Sequence, residues 1–141
     1  MSYKKLEIWQ IANELVVKIH KMTLHELPSF EMYEEGSQIR RSSKSAKSLI
    51  VEGYGRRVYK QDFLKFLVHS VASNDETIDH LENLHNTESL TNNPLYSELH
   101  EQLELLERKL NNFINAVQEK HNIVNEAEPT YQLRDDDYLA P

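Results

Sequence analysis

Glu82-Asn83-Leu84-His85 is the stretch of this chain closest to metal chemistry, because Glu-x-x-His presents two ligands on one helix face. A di-iron bundle needs that motif on two helices and a further Glu on each of two others. A second copy does not occur, and Leu81 and Leu84 already define the inward face, leaving Glu82 and His85 as flanking surface residues. The Asp75, Glu76, Asp79 and His80 cluster reads as surface in the same way, Glu76 excepted. Gly53-Tyr54-Gly55 contains Gly-x-Gly, yet it closes a helix instead of opening one after a strand, so it is a turn and no phosphate cradle. No Gly-x-Ser-x-Gly elbow accompanies the serines. His20, His25, His69, His100 and His121 are scattered. The expectation is therefore no catalytic residue, no metal, no cofactor and no enzyme.

The stretch Gln38–Arg57, QIRRSSKSAKSLIVEGYGRR, is more informative. Its inward positions are mostly Ser and Ala, which let helix backbones approach closely, and its embedded charges need partners. If this helix and the next form an antiparallel hairpin turning near Arg57, Arg41 and Glu76 come to nearly the same level. That spacing predicts a buried Arg41–Glu76 ion pair, a device that sets register more than it stabilises, with Glu52 facing the start of the next helix. Arg40, Lys44 and Lys47 share one helix face by steps of four and three, and Arg56, Arg57 and Lys60 follow. Such a stripe fits a phosphate backbone. It fits the acidic face of a neighbouring subunit equally well.

Four amphipathic helices must position these residues. Leu6, Trp9, Ala12, Leu15/Val16, Ile19 and Met22 form the first stripe, broken by Pro28. The second helix spans roughly 37–54, with Ser37 as its expected N-cap. The third spans roughly 60–86, on Phe63, Phe66/Leu67, Ser70/Val71, Asn74, Ile78, Leu81 and Leu84. The fourth spans roughly 94–121, opened by Pro94 at its first position, on Leu95, Leu99, Leu103, Leu106, Leu110, Phe113/Ile114 and Val117. Short connections make an all-α, antiparallel up-down-up-down four-helix bundle the expected fold. Trp9 is expected in its core.

The 141 residues suit a single bundle domain over 1–121, followed by an acidic tail over 122–141 that is expected to be flexible or ordered only on a partner. Tyr131, Leu133, Tyr138 and Leu139 are unusual in a purely solvating tail. No cysteine is present, which excludes disulfides and thiolate metal sites. The absence of a long apolar run or signal-like start leads to the expectation of a cytoplasmic protein without a membrane partner. Net charge is −7, spread unevenly: residues 1–60 carry +4, residues 61–121 carry −7 and the tail carries −4. A generic nucleic-acid binder is usually basic overall. The polarity could instead join unlike faces of neighbouring subunits.

Trp9 within LEIWQIANELV, Pro28 with Glu31-x-Tyr33, QIRRSS, IVEGYGRR and DFLKFLVHSVASNDETIDHLENL occur in an order that resembles the four-helix-bundle proteins encoded in bacterial 23S rRNA intervening sequences. The resemblance covers about residues 3–120. It implies a homo-oligomer, a pentamer, without established enzymatic activity. Similar accessory proteins of diversity-generating retroelements bind nucleic acid and a reverse transcriptase; they are strongly basic, and this chain departs from them in net charge. It also carries Ser42-Ser43 and Ser45-Ala46-Lys47 where the family tends to alanines and a Pro/Asn-containing stretch. The expected function is thus a non-catalytic scaffold or adaptor that partners itself, with an RNA-associated or protein-bound accessory role as the alternative.

Overall fold

The computed structural model describes residues 2–127, with side chains as far as Lys120. Among them there are four α-helices and no strand: α1 (Glu7–His25), α2 (Glu35–Gly55), α3 (Lys60–Asn86) and α4 (Asn93–Ala127). Short 3-10 segments at Tyr3–Lys5 and Ser29–Tyr33 precede α1 and α2. None of these helices is long and apolar enough to cross a membrane.

Residues in contact run in opposite order on neighbouring helices. Asn13 meets Lys47 and Thr23 meets Arg40 between α1 and α2. Ser42 meets Thr77 and Ala46 meets Ser70 between α2 and α3. Phe63 meets Phe113 and Asn74 meets Leu103 between α3 and α4. Glu7 meets Lys109 and Lys18 meets Glu98 between α4 and α1. The apolar stripes converge on one core containing Leu6, Leu15, Ile19, Ile39, Ile50, Phe63, Leu67, Leu81, Leu99, Leu106 and Leu110. Trp9 is only half-buried against that core, while Ile8 beside it is fully inside. Tyr3 meets the indole edge-on at 5.6 Å and the Lys47 ammonium lies over its ring.

The serines of α2 act as a polar seam against α3. Ser70 Oγ donates to the Ala46 carbonyl at 2.7 Å, Ser42 and Thr77 hydroxyls meet at 2.7 Å, and Ser45 and Ser73 hydroxyls meet at 3.0 Å. Side chains this short can bridge only backbones that are already close, so the seam and the tight approach require each other. Gly53 belongs to the same contact: a Cβ there would lie 3.0 Å from Phe66 Cβ.

Helix boundaries differ from expectation in three places. Ser37 is not the N-cap of α2, which begins at Glu35 directly after the 3-10 segment. Gly36 permits this entry, because a Cβ there would lie 2.5 Å from the Glu31 carbonyl oxygen. Asn92 opens α4 instead of Pro94, its Oδ1 accepting from the Leu95 amide at 3.1 Å, a standard capping bond. Finally, α4 continues to Ala127, past the point at which apolar periodicity stops at Asn122. The remaining tail, 128–141, with Tyr131, Leu133, Tyr138 and Leu139, lies outside the described residues.

Candidate functional site

Helices α2 and α3 enclose an open cleft of about 510 Å³ on their outer side, walled by Tyr33, Gln38, Arg41, Ser45, Glu76 and His80. Arg41 and Glu76 both reach it, at the common level that the hairpin reading predicts. The buried ion pair does not form: both side chains are exposed and no ion pair joins them among the described residues. The reason is rotational. Ser42 and Thr77 occupy the seam, and the preceding residue on each helix is turned by about 100° away from it. Beneath the cleft, His80 Nδ1 lies 2.6 Å from Glu35 Oε1, which also accepts from Asn83 Nδ2 at 3.2 Å. Tyr33 is 89% exposed at the rim.

The basic stripe divides. Arg40 is committed inside the chain, donating to Thr23 Oγ1 at 2.9 Å and to the Met32 carbonyl at 2.7 Å. Lys47 donates to Asn13 Oδ1 at 2.9 Å. Lys44 alone of these three is exposed. Arg56 sits between Glu52, at 3.9 Å, and Asp62 in the first turn of α3, at 3.5 Å, so Glu52 faces that turn through an arginine. Arg57 stacks over the Tyr54 ring at 4.1 Å and donates to the Tyr54 carbonyl. Lys60 is half-buried at the start of α3. Spacing placed these cations on the right helices, but a continuous phosphate-facing row is not what they form.

With this geometry established, comparison with known proteins is decisive at the level of family. The family model of the 23S rRNA-intervening sequence protein matches residues 4–112. The chain belongs to this family. A search of curated proteins finds no match. The match to the 23S rRNA-intervening sequence proteins spans the polar seam, the cleft and the basic turn, and ends inside α4.

The α3–α4 side of the chain holds two groups with displaced titration, Tyr96 and Glu107. Glu107, half-buried on α4, is hydrogen-bonded to Asp75 on α3 and has its carboxyl pushed up to about 8, first by burial and then by that bond and the Asp75 charge. Its Oε1 is buried without a hydrogen-bond partner. Near the other end, His85 stacks on Tyr96 at 3.9 Å, and His100 lies between Glu82 at 2.9 Å and Glu104 at 3.0 Å. Burial, and then the charges of Glu82 and Glu104, raise the Tyr96 phenol above its ordinary range. The Glu-x-x-His motif is thus not loose surface: each of its two polar side chains is engaged with α4. Among the described residues, no group of three His, Asp or Glu is placed to hold a metal. Sequence reasoning missed Glu35, Asn83 and Glu107: Asn83 and Glu107 sit one residue off an apolar stripe, Glu35 precedes the first apolar residue of its helix, and none carries a pattern of its own.

Proposed function

We propose that this protein is a non-catalytic, cytoplasmic scaffold or adaptor, an antiparallel up-down-up-down bundle that assembles with copies of itself, as a pentamer. The observation that carries this reading is the α2–α3 cleft, where Arg41 and Glu76 stand exposed without an ion pair beside the exposed Tyr33. Opposite charges and an aromatic on one face suit a neighbouring subunit better than solvent. Closed rings join two unlike patches, and α1 offers a second one in exposed Val17 and Leu24, two turns apart. The carboxylates and imidazoles that could perform acid–base chemistry are instead engaged in helix-to-helix contacts, namely Glu35–His80, Asp75–Glu107 and Glu82–His100–Glu104.

A charge-reversal pair tests the reading. Arg41→Glu and Glu76→Arg are each expected to lower the native mass. Unchanged mass in both removes the cleft from the interface. A second reading, an RNA-associated accessory role, draws on exposed Lys44 and the Arg56–Lys60 turn. Filter binding of structured RNA at two salt concentrations tests it, since phosphate contacts weaken steeply with salt. Binding that is absent or indifferent to salt ends that alternative.

A further inference from the structure

The connection between α1 and α2 builds a second cleft. After Pro28 a 3-10 turn over Ser29–Tyr33 carries the chain into α2, the Glu31 amide donating to the Pro28 carbonyl at 3.0 Å and the Glu34 amide to the Glu31 carbonyl at 3.2 Å. With the end of α3, this turn encloses an opening of about 350 Å³, walled by Phe30, Glu31, Glu34 and Glu35 together with Asn83 and Thr87. Three carboxylates thus line it, and among the described residues no lysine, arginine or histidine does.

Glu31 sets this cleft apart from an ordinary acidic surface. It is only 6% exposed, yet among the described residues neither a hydrogen bond nor an ion pair engages its carboxylate. Neither carboxylate oxygen is sealed off, so the group opens on the cleft it walls. Arg40, the first cation of α2, is committed to Thr23 and the Met32 carbonyl instead. Glu35 is tied to His80 and Asn83, while Glu34 is exposed. A carboxylate withdrawn from water without a partner is costly, and an entering cation relieves that cost. A single metal ion does not suit these walls, because among the described residues no three such groups are placed to hold one. Carboxylates that share a cleft without converging suit a cation whose charges are spread along a chain. Phe30, 65% exposed, adds an aromatic face for an ammonium and its methylenes.

We propose that this cleft binds a linear aliphatic polyamine, one ammonium meeting Glu31 and the others Glu34 and Glu35, with the methylenes against Phe30. The opening has the volume of roughly a dozen waters, enough for a triamine of about ten non-hydrogen atoms. Amine binding here needs no second copy of the chain, so it stands or fails independently of self-assembly.

Titration of the isotope-enriched full chain with spermidine, at about 0.15 M salt to screen diffuse attraction, tests this. Saturable shifts are expected in the amides of Phe30, Glu31, Glu34, Glu35, Asn83 and Thr87. Glu31→Gln is expected to weaken binding about tenfold, the loss of one charge-assisted contact. Glu34→Gln, at an exposed position that leaves folding untouched, is expected to weaken it about threefold. Glu101→Gln, exposed on α4, is expected to leave the affinity unchanged. Shifts that never saturate, or that spread along the acidic faces of α3 and α4, overturn the proposal. So do Glu31→Gln and Glu34→Gln chains that bind as tightly as the parent. Equal weakening by Glu101→Gln, or magnesium at equal charge concentration moving the same amides as far, also overturns it, because net negative charge alone would then account for the uptake.

Discussion

Glu107→Gln should make the protein more stable at alkaline pH and leave it unchanged in mild acid. The folded carboxyl is pushed from 4.5 up to about 8, chiefly by burial, with the Asp75 hydrogen bond and charge adding to it. Folding therefore holds a proton that the unfolded chain releases above pH 4.5. Stability from this group is fully present below that pH and is lost as pH rises through about 8. One pKa unit corresponds to about 1.4 kcal/mol, so the full shift sets a ceiling of about 5 kcal/mol. Glu107 is only partly buried, and solvent screening reduces the usable figure to about 1–2 kcal/mol. The substituted amide stays uncharged and can still donate to Asp75. Calorimetry at pH 5 and pH 8.5 should give equal Tm values in acid and a variant higher by roughly 3–8 °C in alkali. A variant that tracks the wild-type pH dependence, or is destabilised at pH 8.5, would refute the shared-proton account.

Other changes test the fold from separate directions. Gly36→Ala drives a methyl to 2.5 Å from the Glu31 carbonyl oxygen, and the rigid backbone there should make it cost about 1–3 kcal/mol in denaturant unfolding; a neutral result would mean that the 3-10 segment yields. Glu88 has φ 62° in the α3–α4 connection, so Glu88→Gly should relieve left-handed strain and stabilise by about 0.5–1 kcal/mol, despite the greater freedom it gives the unfolded chain; a loss of stability contradicts this. Ser70→Ala removes the 2.7 Å bond to the Ala46 carbonyl and should lower stability by about 1 kcal/mol, with amide exchange quickening along the α2–α3 seam first.

The apolar periodicity was enough to find all four helices, because Leu and Ile at steps of three and four have few other ways to leave water. The stripe of α4 matches its buried set from Leu99 to Val117. The Arg41–Glu76 level was also legible, since residue counting from a turn fixes axial position. Which way each side chain turns was not. One residue rotates a side chain by about 100°, and the inward slot went to Ser42 and Thr77, whose small hydroxyls let α2 and α3 come close. Arg40 and Lys47 show the same limit: the stripe pattern placed them on one face, but their partners lie on other elements, Thr23 and Asn13 on α1 and Met32 in the preceding 3-10 segment. Glu107 left no trace in the pattern because its perturbation comes from the neighbours that α3 supplies.

Self-association is the claim on which the proposed role rests, and the native mass in solution tests it most directly. Light scattering coupled to chromatography, at micromolar concentration and moderate salt, should give a multiple of the 16.6 kDa chain mass, five chains on the ring reading. A mass of one chain, constant on concentration, would contradict it.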